Sequence, residues 1–408
     1  MRILLSEGSS TSAREAVTLL GLAGYHVEIC DPDPHCIARF SRFVRQFHRC
    51  PGLGVDPQGY VAFVAELVAA RRFDVLLPIH EQGLALAKVR EALTPNVALA
   101  LPAFAAYEQA VSKAGFSRLL SELGLPQPRT QLIETPGEAL AQDAFPLVLK
   151  SAFGTASRGV WIVRNHDELC AAVAQMRDEE AFQEPVLVQE YIEASVEHAQ
   201  AVFSEGEMLG MHAYRQVARG AGGGDAIKES VHRPEVGEHL AVIGRHLRWH
   251  GALSVDYLAA EIPAEIRYID CNPRLVEPVN AVLAGHDLLD LVLKVSIGAK
   301  PPPLPPGRPG VRTHLALQAL LGCALRTRSR AALLRECWLL ATRKGPYRGS
   351  QEELTPLHWD WASVAPTLVL ASWLLIHPGA AASMAGQRWG DHLLNAKSVR
   401  LIRQRVGI

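Results

Sequence analysis

The sequence predicts an α/β chain in three parts: an N-terminal parallel α/β domain over residues 1–104, an α+β body over 105–300, and a basic, mainly helical C-terminal region over 312–408. Three observations carry that expectation. Short apolar strands alternate with helical stretches near the start, which calls for a parallel sheet whose loops open at the strand C-termini. Residues 145–274 read as successive hairpins with polar or glycine-rich tips. The run Lys300-Pro-Pro-Pro-Leu-Pro-Pro-Gly then forms a stiff linker, 301–311, after which the pattern turns helical.

In the N-terminal part, Arg2–Leu5 is an apolar strand, Ser6–Thr11 a small polar loop, Ala13–Ala23 a helix and Tyr25–Cys30 a second strand stopped by Asp31-Pro32. A helix near Tyr60–Arg71 and the strand Asp74–Pro78 continue the pattern. No GxGxxG occurs in it, so it is not a dinucleotide site. Ser9–Thr11 and the pair His80-Glu81 fall at the same sheet edge, where they either reach a substrate or serve as ordinary loop residues.

The body opens with a helical stretch over Ser112–Leu120, carrying Lys113 and ended by Gly124-Leu-Pro-Gln-Pro. The strand Phe145–Lys150 ends in a cation, and Gly154-Thr-Ala-Ser157-Arg-Gly159 joins it to Val160–Val163. A tip of that composition offers backbone N–H groups to phosphates, with Lys150 to pair their charge. After a helix near Asp167–Asp178, the strand Pro185–Ile192 runs into polar residues. The backbone of Glu190, Tyr191 and Ile192 can meet the edge of a planar base, and Glu197 can accept from ribose hydroxyls. Strands Ala199–Phe203 and Met208–Tyr214 lead to the glycine-rich run Arg219–Asp225, which reads as a lid or a flexible linker. Arg215 and Lys228 flank it and either pair with a substrate carboxylate or are surface charge.

The stretch Gly251–Arg274 reads as two strands about a turn at Ile262-Pro263-Ala264. Symmetry about Pro263 places Asp256 opposite Asp270. Directly opposed strand residues have Cβ atoms about 4.5–5.5 Å apart, so two carboxylates there repel and require a cation. Oxygen-only ligands suit Mg²⁺. Strand alternation puts Asp270, Asn272 and Arg274 on one face and turns Ile269 and Cys271 to the other. A carboxylate, an amide oxygen and a guanidinium in a row can hold a metal–polyphosphate complex beside a permanent cation.

Taken together, Lys113, the Lys150 strand with its Gly154–Gly159 loop, Val188–Ile192 with Glu197, and Asp256…Asp270-Cys-Asn272-Pro-Arg274 resemble the ATP-grasp superfamily, nearest its carboxylate–amine ligase and carbamoyl phosphate synthase-like members. The resemblance covers roughly residues 1–300, with the N-terminal part similar to a preATP-grasp domain. It implies an ATP- and Mg²⁺-dependent ligase, with Mn²⁺ able to substitute, that activates a carboxylate as an acyl phosphate for attack by an amine. It also implies roles for single residues. Lys113 and Lys150 would contact ATP phosphates while Gly154, Ser157 and Gly159 close over them; Glu190, Tyr191 and Ile192 would line the adenine pocket and Glu197 would hold the ribose. Asp256, Asp270 and Asn272 would carry one or two Mg²⁺ ions, and Arg274 would stabilise the acyl phosphate. Both metal carboxylates are Asp where the family commonly has Glu, and the residues after Arg274 lack the glycine pair often found in amino acid ligases. A carboxylase or kinase ending at a phosphorylated product, or a non-catalytic ATP-binding module, are the competing readings.

Composition sets the remaining expectations. The 408 residues are 49% hydrophobic and 20% charged with a net charge of −1, a globular balance in which no nucleic-acid partner is expected. That balance hides an asymmetry, since residues 308–408 hold 14 Lys+Arg against 5 Asp+Glu. Seven cysteines lie scattered without CxxC pairs, which fits a reduced compartment and offers no zinc spacing. Met1–Leu5 passes at once into Ser-Glu-Gly-Ser-Ser with no signal-peptide core, so a cytoplasmic protein is expected. In the tail, Trp359–Ile376 is apolar but interrupted by Pro366 and stopped by His377-Pro378, short of the roughly 18 residues of a spanning helix. With arginines at 326, 328, 330 and 335 beside it, region 312–408 reads as a membrane-surface or protein-partner element, or as a buried helical subdomain. The oligomeric state is left open, a homodimer included.

Overall fold

Strand β1 (Arg2–Leu5) is apolar and buried beyond its first residue, as the centre of a parallel sheet requires. Around it stand β2 (His26–Asp31), β3 (Val44–Arg49) and β4 (Val75–Leu77) in the order β3-β2-β1-β4, all parallel. The sequence reading found three of these strands and missed β3. Its Val-Arg-Gln-Phe-His-Arg is an edge strand with largely open side chains, so it lacks the apolar run that marks its neighbours. The helix Thr11–Leu22 begins where Ser10 accepts from the Ala13 N–H, and Pro57–Ala70 where Asp56 accepts from Gly59. The computed structural model describes residues 1–154, 158–260, 265–382 and 394–407.

A second, antiparallel sheet holds β5 (Thr130–Ile133), β6 (Leu147–Lys150), β7 (Val160–Val163) and β8 (Val186–Glu190) in the order β5-β8-β6-β7. One face packs on the helix His166–Asp178 through Leu149, Val163, Leu169, Val173 and Met176.

The third sheet contains β9 (Ser195–Ser204), β10 (Glu207–Arg219), β11 (Asp225–Val231), β12 (Gly251–Ala259), β13 (Ile266–Asn272), β14 (Arg312–His314) and β15 (Gln351–Glu352), in the order β13-β12-β9-β10-β11-β14-β15. It is antiparallel except at β14–β15. The helix Pro234–Leu247 lies against it, with Val236, Leu240 and Ile243 fully buried in the same core as Phe203, Leu253 and Val255.

The stretch read as a tail thus supplies two strands to the largest sheet. Three- and two-residue strands leave no periodic signal, which is why the sequence showed only helices there. The proline-rich run does not hang free. Leu304 N–H bonds Leu209 O at 2.7 Å, and Arg308 N–H bonds Ala284 O at 2.9 Å. Helices Ala316–Thr327, Arg330–Thr342 and Val364–Ile376 share a small core of Leu320, Ala324, Leu333, Leu370 and Leu374. The last described helix, Ala396–Arg405, returns to the body, where Arg403 donates to Glu108 at 2.7 Å and also pairs with Glu184.

Candidate active site

The three sheets and the helix Ala316–Thr327 surround one cavity of about 880 Å³. Ser10, Thr11, Ser12 and His80 line it from the first sheet, Lys150 and Glu190 to Ala194 from the second, and His198, Asp256, Asp270, Asn272 and Arg274 from the third and the loop beyond it.

Its charged centre rests on the β12–β13 hairpin. Ser254 pairs Asn272, Val255 pairs Cys271 and Asp256 pairs Asp270, the symmetric register read from the sequence. Toward the tip the register slips by one, so that Tyr257 pairs Tyr268 and Ile269 is skipped as a β-bulge. The slip corrects one expectation: Ile269 lines the cavity along with Asp270 instead of turning away. Cys271 does turn into the core, 3% exposed, with its thiol raised by burial and by Asp270. The turn at Ile262–Ala264 lies outside the described residues.

Cations converge on this pair from two other elements. Ser112 caps the helix Lys113–Glu122 and sets Lys113 in its first turn, 3.4 Å from Asp270 Oδ2 and donating to Gly154 O at 2.7 Å. Lys150 ends β6 and donates to Ile269 O at 2.9 Å. Burial lowers Lys150 to about 8, against the pull of Asp270 and with some help from the like charge of Lys113. Arg274 is 7% exposed, and its Nη2 donates to Asn272 Oδ1 at 3.1 Å. Asn272 Nδ2 in turn faces Asp256 Oδ2 at 3.4 Å.

The glycines flanking the phosphate-type loop are geometrically required. Gly159 has φ +74, and a Cβ there would lie 2.0 Å from Ser151 Oγ. Ser157, the residue expected to close over phosphates, lies outside the described residues. Beyond β8, Tyr191 to Val196 line the cavity, whose apolar walls come from Val148, Val160 and Ile162 on one side and Val217, Ala218 and Leu258 on the other. Glu190 itself is committed to the sheet margin, its Oε1 accepting from Arg129 N–H at 2.9 Å.

Three expected residues are placed differently. Glu197 points to the opposite face of β9, 3% exposed, where Arg233 clamps both of its oxygens at 2.6 and 2.8 Å and Tyr257 donates at 3.0 Å. It does not line the cavity, so the ribose reading is corrected; Glu193 and Ser195 do line it. Arg215 is half exposed and paired with Glu229 at 2.6 Å, a surface ion pair. Lys228 is neither surface charge nor at the cavity wall. It is fully buried, bonded to Glu353 Oε2 at 2.8 Å and to Glu277, with Glu15 close by. Burial, then Glu353, push Glu15 well above the ordinary carboxylate range. The carboxylate oxygens of Glu15, Glu277 and Glu353 lie within 4.8 Å of one another, and the ammonium is the cation that serves them.

His80 and Glu81 remain at the site, both nearly buried. Glu81 accepts from Leu394 N–H, and burial raises its carboxyl to about 7. The glycine-rich run is a tied turn and not a loose linker. Gly220 N–H bonds Gly224 O at 2.7 Å, and Gln318 Oε1 accepts from Ala221 N–H at 3.0 Å.

The sequence reading missed His198 and Asp225. His198 Nδ1 lies 2.7 Å from Asp256 Oδ1, and its Nε2 lies 3.7 Å from Asp225 Oδ1. Burial opposes its charge, but Asp225 and then Asp256 hold it well above the ordinary imidazole range. The available signal was a pair of polar residues, His198 and Gln200, two apart on a strand whose residues between and after them, Ala199, Ala201, Val202 and Phe203, are apolar.

Two carboxylates face one another here, hard oxygen ligands that suit Mg²⁺, while the Asn272 amide turns its nitrogen to Asp256 and its oxygen to Arg274. Lys113 and His198 already offset part of the repulsion.

No protein-family model matches the sequence. The carbamoyl phosphate synthase large chain of Thermus thermophilus is 26% identical over 209 residues, which are 48% of this chain and 20% of that one. The chain therefore spans about a fifth of the length of that curated relative. Among solved structures, the biotin carboxylase domain of Hydrogenobacter thermophilus 2-oxoglutarate carboxylase, in complex with MgADP, ADP and bicarbonate, superposes with a TM-score of 0.59 at 18% identity, covering 75% of this chain and 71% of that one. An L-amino acid ligase from Bacillus licheniformis gives 0.57 at 17% identity, covering 72% and 74%. At these identities the likeness is one of fold.

Proposed function

We propose that this chain, whose architecture is the ATP-grasp fold, is an ATP- and Mg²⁺-dependent ligase that joins a small-molecule carboxylate to an amine with release of ADP and phosphate. The observation that carries the reading is the in-register opposition of Asp256 and Asp270 with Lys113, Lys150 and Arg274 gathered about them in one cavity. A binding module has no need of a guanidinium and two lysines around an acid pair. A site for phosphoryl transfer does, because that chemistry rests on positioning and charge neutralisation.

In this reading Asp256, Asp270 and Asn272 would hold the metal, which would supply charge neutralisation for the polyphosphate. Lys113 and Lys150 pair with phosphate oxygens, and the Gly154–Gly159 segment gives them backbone N–H groups. The base lies between the apolar walls, with Tyr191 to Ala194 along its edge. The substrate carboxylate attacks the terminal phosphorus, the bond to ADP breaks, and Arg274 holds the oxygens of the resulting acyl phosphate. The amine then attacks the acyl carbon, phosphate leaves, and the proton lost by the amine passes to solvent. No nucleophilic side chain is required, which accords with Cys271 lying buried in the core.

The relative and the neighbour named for carbamoyl phosphate and carboxylase chemistry favour a second reading, in which the reaction ends at a phosphorylated or carboxylated product. Both begin with the same phosphoryl transfer. Measuring ADP release over paired amino acids and organic acids tests the proposal. Turnover that needs both partners and yields an amide supports it, whereas turnover with the acid or bicarbonate alone would transfer the assignment to the second reading. We also propose a cytoplasmic location.

A further inference from the structure

The C-terminal helices show their charge unevenly. Of the five carboxylate residues in 308–408, the four that the structure describes are engaged within the fold. Glu336 accepts from the Tyr347 hydroxyl, and Glu352 accepts from Ala316 and Thr355 N–H at 2.9 and 3.1 Å. Glu353 is buried on Lys228 and Asp360 on Arg14. Arg326, Arg328, Arg330, Arg335, Arg343 and Lys344 are all exposed. The described acids are thus engaged within the fold while these six bases lie exposed; Arg403, farther along the chain, is paired with Glu108 and Glu184.

The same region exposes apolar side chains at helical spacing. On Arg330–Thr342 these are Leu334 and Trp338, 58% and 52% exposed. On Val364–Ile376 they are Leu368, Val369, Trp373 and Ile376, the second of them 70% exposed. Each helix buries its other side, through Leu333 or through Leu370 and Leu374, so neither exposed stripe is needed for the local core. Basic groups sit directly beside them: Lys344 Nζ lies 5.0 Å from the centre of the Trp338 ring, and Arg330 Nη2 donates to Ile376 O at 2.8 Å.

We propose that these two helices form a docking face for an anionic lipid surface. An apolar stripe bearing Trp and Leu, edged by arginine and lysine, is the pattern by which a helix lies in the headgroup layer. The helices would lie on the bilayer and not cross it, since among the described residues no helix is long and apolar enough to span one. A second copy of the chain is the poorer occupant, because it would set the same arginines against one another. The inference is independent of the ligase reading, as it uses none of the cavity residues.

The test is co-sedimentation of the full chain with vesicles of phosphatidylcholine alone and of equal parts phosphatidylcholine and phosphatidylglycerol, at low and physiological salt. The chain should pellet with the anionic vesicles only, and less as salt rises past the point where the Debye length is about 8 Å. Val369→Asp should weaken that binding roughly tenfold, the loss expected from removing one buried aliphatic group and adding an anion. Its melting temperature should stay unchanged. Leu334→Ser, on the other helix, should act in the same direction and serves if Val369→Asp does not fold. Equal pelleting with both vesicle types, or with neither, overturns the proposal. So does vesicle binding indifferent to both substitutions, or a Val369-dependent dimer in solution that binds no vesicle.

Discussion

Arg14 and Asp360, 346 residues apart in the chain, form an ion pair at 2.6 Å whose side chains are 1% and 0% exposed. The Ser41 hydroxyl and the Arg42 N–H donate to the same carboxylate. Breaking one side of such a pair leaves the other charge buried without compensation. Asp360→Ala should therefore cost about 3–5 kcal/mol in urea denaturation. A loss below about 1 kcal/mol, the range of a surface pair, would show that this contact does not hold the C-terminal region to the first sheet.

Asp270→Asn should lower Mg²⁺-dependent turnover by on the order of a hundredfold or more while the melting temperature holds, since it removes charge from an acid pair already under repulsion. Chelation of the metal should do the same to the unaltered chain. Near-normal rates at ordinary Mg²⁺ would remove Asp270 from the metal site.

His198→Asn should raise the Mg²⁺ concentration needed for half-maximal nucleotide binding by roughly ten- to a hundredfold, as losses of groups that orient a metal carboxylate do. The histidine fixes Asp256 through its 2.7 Å hydrogen bond and ties it to Asp225 beyond the glycine turn. Calorimetric titration of metal in the presence of a non-hydrolysable nucleotide would show it directly. An unchanged metal dependence would reduce His198 to a packing role.

How much of this was legible in the sequence differs from residue to residue. The Asp256–Asp270 pair was read from symmetry about Pro263, and the structure has that pairing, but it does so through the bulge at Ile269: the pairs nearer the tip lie one residue out of the symmetric register, and no pattern in the sequence announces the bulge. Glu197 was misread for a related reason: on a strand, neighbouring residues face opposite sides, and nothing in Ser195-Val-Glu-His tells which side meets the cavity. Lys228 could not be placed because its carboxylates, Glu15, Glu277 and Glu353, come from three distant segments. Gln318 and Asp360 act on the rest of the molecule across similarly long intervals, and such contacts leave no local pattern.

Arg274→Ala should keep nucleotide affinity within about threefold and reduce kcat by roughly 10²–10³, because its proposed work is on charge that develops during the reaction. Nucleotide titration beside single-turnover kinetics separates the two. An equal loss in both would make Arg274 a phosphate clamp.

Lys150 supplies a pH signature. An ammonium lowered to about 8 is charged below that value and neutral above it, so kcat/KM for ATP should fall as pH rises through about 8. Lys150→Arg, which keeps its charge, should flatten that limb. A wild-type profile level to pH 10 would mean that Lys150 does not meet the nucleotide's charge.

The bulge in β13 has one more effect. The ladder passes over Ile269, and the carbonyl of that residue accepts from the Lys150 ammonium. A lysine side chain surrenders up to about 2 kcal/mol of rotamer entropy when it is fixed. Here that cost falls on folding, before any nucleotide arrives, and the carbonyl aims the ammonium toward the acid pair in advance. Under the proposed function, one additional residue in a strand would thereby make part of the affinity for a polyphosphate a matter of preorganisation.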